Sequence, residues 1–106
     1  MPAGEAHDSA DLAVAFQAVA AAQVREGAPH TRYVDLDTTE AHTIGVWEHT
    51  PGISTDVESD EVFVVLEGFG TLEFTEPALA AVELRPGVIV RLTGGMHTTW
   101  TVRETL

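Results

Sequence analysis

EVFVVLEGFGTLEF, residues Glu61–Phe74, is the stretch whose reading decides the fold. Gly68 and Gly70 interrupt runs rich in valine and phenylalanine, and glycine tolerates the positive φ angles of a tight turn. The stretch therefore reads as a β-hairpin. Side chains alternate along a strand, so Glu61, Phe63, Val65 and Glu67 share one face of the first arm. Val62, Val64 and Leu66 occupy the other.

Downstream, LRPGVIVRL (Leu84–Leu92) repeats the pattern, with Pro86 and Gly87 turning the chain into another strand. Strand-like runs cover Arg32–Asp37, His42–His49, Glu61–Glu67, Thr71–Thr75, Ala80–Leu84, Val88–Leu92 and Thr98–Arg103. Runs of this length, separated by glycine, proline and acidic clusters, predict an all-β antiparallel sandwich or barrel. Upstream, residues 1–8 read as a loose tail. The alanine-rich SADLAVAFQAVAAAQVRE (Ser9–Glu26) predicts a short helix, capped by Ser9 and closed by Gly27. Val14, Phe16, Val19 and Val24 do not make a clean helical stripe, so only local propensity supports that helix. This divides the chain into an extension, 1–26, and one domain, 27–106.

Composition narrows the function classes. A chain of 106 residues builds one core. It has no cysteine, which removes disulfides and thiol chemistry and makes a reducing, cytoplasmic setting the default. Seventeen acidic residues against five arginines and no lysine give a net charge of −12. Such a surface repels phosphate backbones, so neither nucleic acid nor an anionic membrane is an expected partner. Without lysine there is no Schiff-base chemistry. The three serines, Ser9, Ser54 and Ser59, lack a nucleophile-elbow context. No apolar run reaches the roughly 18 residues that suggest a membrane span.

Two segments taken together carry a family resemblance: PGISTDVESDEVFVVLEG (Pro51–Gly68) and PGVIVRLTGGMHTTW (Pro86–Trp100). Their order and spacing resemble the two motifs of the cupin superfamily. GVWEHTPG (Gly45–Gly52), followed by DEVFVVLEG and a closing segment with Trp100, resembles the small cupins related to ureidoglycine aminohydrolases. The resemblance covers about residues 27–106 and implies a cupin-type barrel, the double-stranded β-helix or jelly roll. Members of this kind usually carry one more strand after the ETL-like end. That implies either a barrel lacking its final strand or an edge completed by a second copy, a homodimer.

The resemblance also implies a metal site, and here the residues depart from it. Typical metal-binding cupins take two histidines and a glutamate from the first motif and a histidine from the second. Glu61 falls on the glutamate position. The histidine positions fall on Ser54, Asp56 and Thr98. One expected ligand of four is kept, with Asp56 as an oxygen substitute, and transition metals want three or four ligands including nitrogen. The expectation is a barrel without the usual metal. A divalent ion held through Glu61, Asp56, His49 or His97 is the alternative.

The candidate ligand-binding residues are Trp47, His49, Asp56, Glu61, Phe63, Thr98 and Trp100, with Glu61 as the candidate catalytic group. A carboxylate aimed into a barrel has a raised pKa and suits general acid–base work. Strand parity turns Thr98 and Trp100 inward and His97 outward, unless a bulge after Gly94-Gly95 reverses it. Asp56, Glu58, Asp60 and Glu67 approximate an EF-hand spacing, but Glu61 stands where glycine is needed and the flanks read as strands. Three readings follow: a metal-free binding protein for a small molecule, a metal- or Glu61-dependent enzyme related to ureidoglycine aminohydrolases, and a partner-binding dimer module.

Overall fold

Strands dominate the computed structural model, which describes residues 1–11 and 13–106, and several of them, such as Glu61–Val64 and His97–Glu104, show the polar–apolar alternation of a half-buried sheet. The strands are β1 (Gln17–Ala18), β2 (Val24–Glu26), β3 (His30–Thr38), β4 (Thr43–His49), β5 (Gly52–Val57), β6 (Glu61–Val64), β7 (Phe69–Glu76), β8 (Ala78–Leu84), β9 (Ile89–Leu92) and β10 (His97–Glu104). All the pairings are antiparallel, in three sheets ordered β1-β3-β4, β2-β5-β10-β7-β8 and β6-β9. The all-β architecture agrees with the sequence, and among the described residues no helix is long and apolar enough to cross a membrane.

Two expectations are corrected. The helix over Ser9–Glu26 is absent from the described residues. The segment instead contains β1, one 3-10 turn at Ala21–Gln23, and β2. Leu12, inside the expected helix, lies outside the described residues. Alanine propensity is weak without an apolar stripe to bury, and pairing with β3 and β5 overrides it.

The second correction is the hairpin. Its arms part: β6 pairs with β9, while β7 pairs with β10 and β8. Gly68 has the expected positive φ of 91°, but the strands it joins lie in different sheets. A Cβ on Gly68 would sit 2.2 Å from the Thr105 carbonyl oxygen, and one on Gly70 2.5 Å from that of Thr101. Both glycines therefore serve a close crossing over the end of β10. Crossing lets Phe63 and Val65 cover the interior from one sheet while Leu72 and Val102 cover it from the other. The Pro86-Gly87 turn forms as read, with Val88 N–H donating to the Arg85 carbonyl at 3.1 Å and Gly87 at φ 93°.

The core joins Phe63, Val65, Val90 and Leu92 of the β6-β9 side to Leu72, Leu84, Trp100 and Val102 of the larger sheet. Leu106 closes it. Its backbone exchanges hydrogen bonds with His49 at 3.0 and 3.1 Å, which ties the end of the chain to β4.

Candidate functional site

β5 and β10 run side by side and bring the two motif segments into register, Ser54 opposite Trp100 and Asp56 opposite Thr98. The positions that the resemblance assigns to metal-binding histidines thus become cross-strand neighbours. After β5 ends, the backbone of Glu58 is clamped to the loop before β10. Glu58 N–H donates to the Met96 carbonyl at 2.8 Å, and Gly95 N–H to the Glu58 carbonyl at 2.9 Å. Gly94 N–H donates to Asp60 Oδ1 at 2.7 Å. The Gly94-Gly95 turn makes this clamp. It does not reverse the strand: Thr98 and Trp100 are buried, and His97 is exposed, 3.8 Å from Glu76.

The clamp holds Glu58 inside. It is 9% exposed, and its Oε1 accepts from the Thr98 hydroxyl at 2.6 Å and from Trp100 Nε1 at 3.1 Å. Burial pushes its carboxyl above the usual glutamate range, and nearby Asp56 adds to this, while the two hydrogen bonds oppose it. Trp100 also meets Trp47 edge-on at 5.2 Å and Phe63 at 5.6 Å, and Trp47 meets Phe63 at 5.8 Å. Each such contact contributes about 0.5–1.5 kcal/mol beyond burial, so the aromatic trio is a rigid wall.

His49 is equally constrained. Its Nδ1 lies 2.7 Å from the Thr50 carbonyl and its Nε2 2.8 Å from Ser54 Oγ. The carbonyl can only accept, so Nδ1 carries the proton and Nε2 accepts from the Ser54 hydroxyl. Burial lowers the imidazole pKa, partly offset by the Thr50 carbonyl, and favours the neutral ring.

These groups border a cavity of about 500 Å³. Of the residues predicted from sequence, Trp47, His49, Asp56, Glu61 and Trp100 line it. Phe63 and Thr98 do not: Phe63 backs the tryptophans, and Thr98, 1% exposed, sits behind Glu58 and fixes it. The placement of Glu61 is corrected: the residue is exposed at the cavity's edge rather than aimed into a barrel, and its side chain makes no hydrogen bond or ion pair among the described residues. What burial it has raises its pKa, followed by the charges of Glu58 and Asp56. Several lining residues are unforeseen, among them Arg32, Glu48 and Glu58, the last of which shows in the sequence only as part of an acidic spacing. On the cavity's other side Arg32 of β3 pairs with Glu48 of β4.

The residues do not fit a transition metal. Among the described residues no three of histidine, aspartate and glutamate group so as to hold one. Ser54 is committed to His49, Thr98 to Glu58, and the free nitrogen lone pair of His49 to Ser54.

Comparison with known families matches residues 36–106 to the family described as EutQ-like cupin domain. Comparison with curated proteins returns no match.

Proposed function

The chain belongs to the EutQ-like cupin family, and from that premise we propose that it binds a small molecule in the cavity without a typical cupin metal. The ligand class we assign is a compact organic cation, an amine or quaternary ammonium. One observation carries this reading: the Glu61 carboxylate borders the cavity with no side-chain hydrogen bond or ion pair among the described residues, and Glu58, Asp56, Trp47 and Trp100 line the same cavity. A cation there gains charge-assisted hydrogen bonds and cation–π attraction together.

The test is a thermal-shift and calorimetric panel of small amines, matched alcohols and matched carboxylates, on protein purified without chelator or affinity metal. An amine at one hundred times its Kd stabilises the fold by about 2.7 kcal/mol. Glu61→Gln should weaken that binding about tenfold, the effect of losing one charge-assisted contact. Binding of carboxylates but not amines would overturn the ligand class, and a stoichiometric transition metal in elemental analysis would overturn the metal-free reading.

A second reading makes Glu61 a general base in an enzyme nearer the ureidoglycine aminohydrolases. GVWEHTPG and a Glu61 side chain with no hydrogen bond among the described residues support it. Turnover unchanged in Glu61→Gln would refute it. We also assign the chain a homodimeric state, supported by Val62, Val64 and Ile89, exposed on β6 and β9, which among the described residues pair only with each other, and by the exposed Leu66 just beyond β6. The cysteine-free composition supports a cytoplasmic setting.

A further inference from the structure

The cavity's outer wall comes from residues that precede the family match. Gln17, Ala18, Val19, Ala20 and Gln23 line it, and the match begins at residue 36. Their attachment is slight. β1 has two residue pairs, Gln17 with Thr31 and Ala18 with His30. Val19 N–H donates to the Pro29 carbonyl at 3.0 Å. From Val14 to Gln23 only Val14, Val19 and Gln23 are half-buried, and the other residues are exposed. Gln23 is firmer, exchanging hydrogen bonds with Thr55 at 3.2 and 3.4 Å beside β2.

Arg32 joins this strap to the cavity wall toward the strap's N-terminal end. The guanidinium of Arg32 lies 4.5 Å from the centre of the Phe16 ring and donates to the Val14 carbonyl at 3.4 Å, while its other terminal nitrogen pairs with Glu48. Arg32 and Glu48 both line the cavity. A segment with little buried apolar surface and few ladder bonds opens at low free-energy cost.

We infer that Val14–Gln23 is a displaceable cover on the cavity, latched by Arg32 and hinged near the Ala21–Gln23 turn, and that ligand enters when β1 peels from β3. The role as a ligand gate rests on the cavity being the binding site proposed above. The opening itself does not.

The chain's only two tryptophans, Trp47 and Trp100, both line the cavity, so quenching of their fluorescence by acrylamide, a neutral probe, reads access directly. Arg32→Met keeps the apolar stem and removes the latch; its quenching constant should rise at least about twofold, with the far-UV spectrum unchanged. Ala18→Cys with His30→Cys places the only two thiols on directly opposed residues. The oxidised variant should quench about half as strongly as the parent or less, and reduction should restore the parent value. A cross-link that leaves quenching unchanged would show a static wall and overturn the inference, as would an unchanged Arg32→Met. Failure of every amine to bind would overturn the ligand class while leaving the gate standing.

Discussion

Replacing Thr98 with valine tests the buried centre of the site most sharply. The two side chains are nearly the same shape, and Thr98 is 1% exposed, so the exchange creates neither a cavity nor a clash. It removes the hydroxyl that donates to Glu58 at 2.6 Å and also accepts from Trp100 Nε1 at 3.1 Å. Glu58 then keeps only the Trp100 donor. A hydrogen bond to a charged group contributes about 1.5–3 kcal/mol and one to a neutral group about 0.5–1.5 kcal/mol. Thr98→Val should therefore cost about 2 kcal/mol at pH 8, or roughly 10 °C in Tm for a domain of this size. The cost should shrink to about 1 kcal/mol or less at pH 5, where a carboxyl of raised pKa is more fully protonated. The sign follows from the shift. The folded pKa of Glu58 lies above the unfolded value, so its protonation stabilises the fold at low pH, and that stability is lost as pH rises through the folded pKa. Removing the Thr98 donor raises this pKa further and widens the gap between the two pH values. Urea unfolding followed by tryptophan fluorescence measures both. A variant as stable as the parent at both pH values, or an equal loss at each, would refute the reading of a hydrogen bond made to the ionised carboxylate.

The remaining predictions concern other parts of the same framework. His49 has a lowered pKa in the fold, so its contribution to stability is present above pH 6.5 and is lost as pH falls below that value; the loss is at most about 1.4 kcal/mol per pH unit. His49→Gln should remove this slope in a pH series of unfolding curves, and a parent slope retained in the variant would contradict it. Gly68→Ala should cost at least about 2 kcal/mol, because it adds a Cβ against the Thr105 carbonyl at a positive φ. Gly87→Ala, at a similar φ but with open space around it, should cost only about 1 kcal/mol, and equal losses would show that the crossing is not tight. A strong chelator should leave Tm and amine binding unchanged within error, and a large fall in either would restore a metal to the site.

Some of this was legible in the residues alone because it depends only on local alternation. Phe63, Val65, Thr98 and Trp100 face inward and Val62, Val64 and His97 outward, as strand parity required, but Glu61 and Glu67, which parity put with Phe63 and Val65, are exposed at the ends of that run. The Pro86-Gly87 turn, the strand-rich texture and the cupin resemblance of the two motif segments have the same local origin. β5 escaped notice because its interior-facing Ser54 is polar, so Gly52–Val57 shows no apolar alternation. Glu58 escaped for a related reason: a buried carboxylate looks like any surface acid until its partners are known.

The hairpin and the helix were misread because pairing is a long-range choice. Whether β6 joins β7 or β9 depends on which arrangement covers the core from both sides, and that is settled by Val90 and Leu92, nearly thirty residues downstream. That Ser54, Asp56 and Thr98 stand where the cupin resemblance would place histidines was a matter of sequence alone, since they can be counted from the glycines of each motif. How these positions are packed was decided only by the tertiary structure. Cross-strand register sets Ser54 beside Trp100, the Gly94-Gly95 clamp turns Glu58 inward to Thr98 and Trp100, and β4 brings His49 against Ser54. The bonds of Glu58 to Thr98 and Trp100 join residues some forty positions apart, and even the His49–Ser54 bond, five positions apart, spans the turn between β4 and β5, so no local pattern in the chain encodes them.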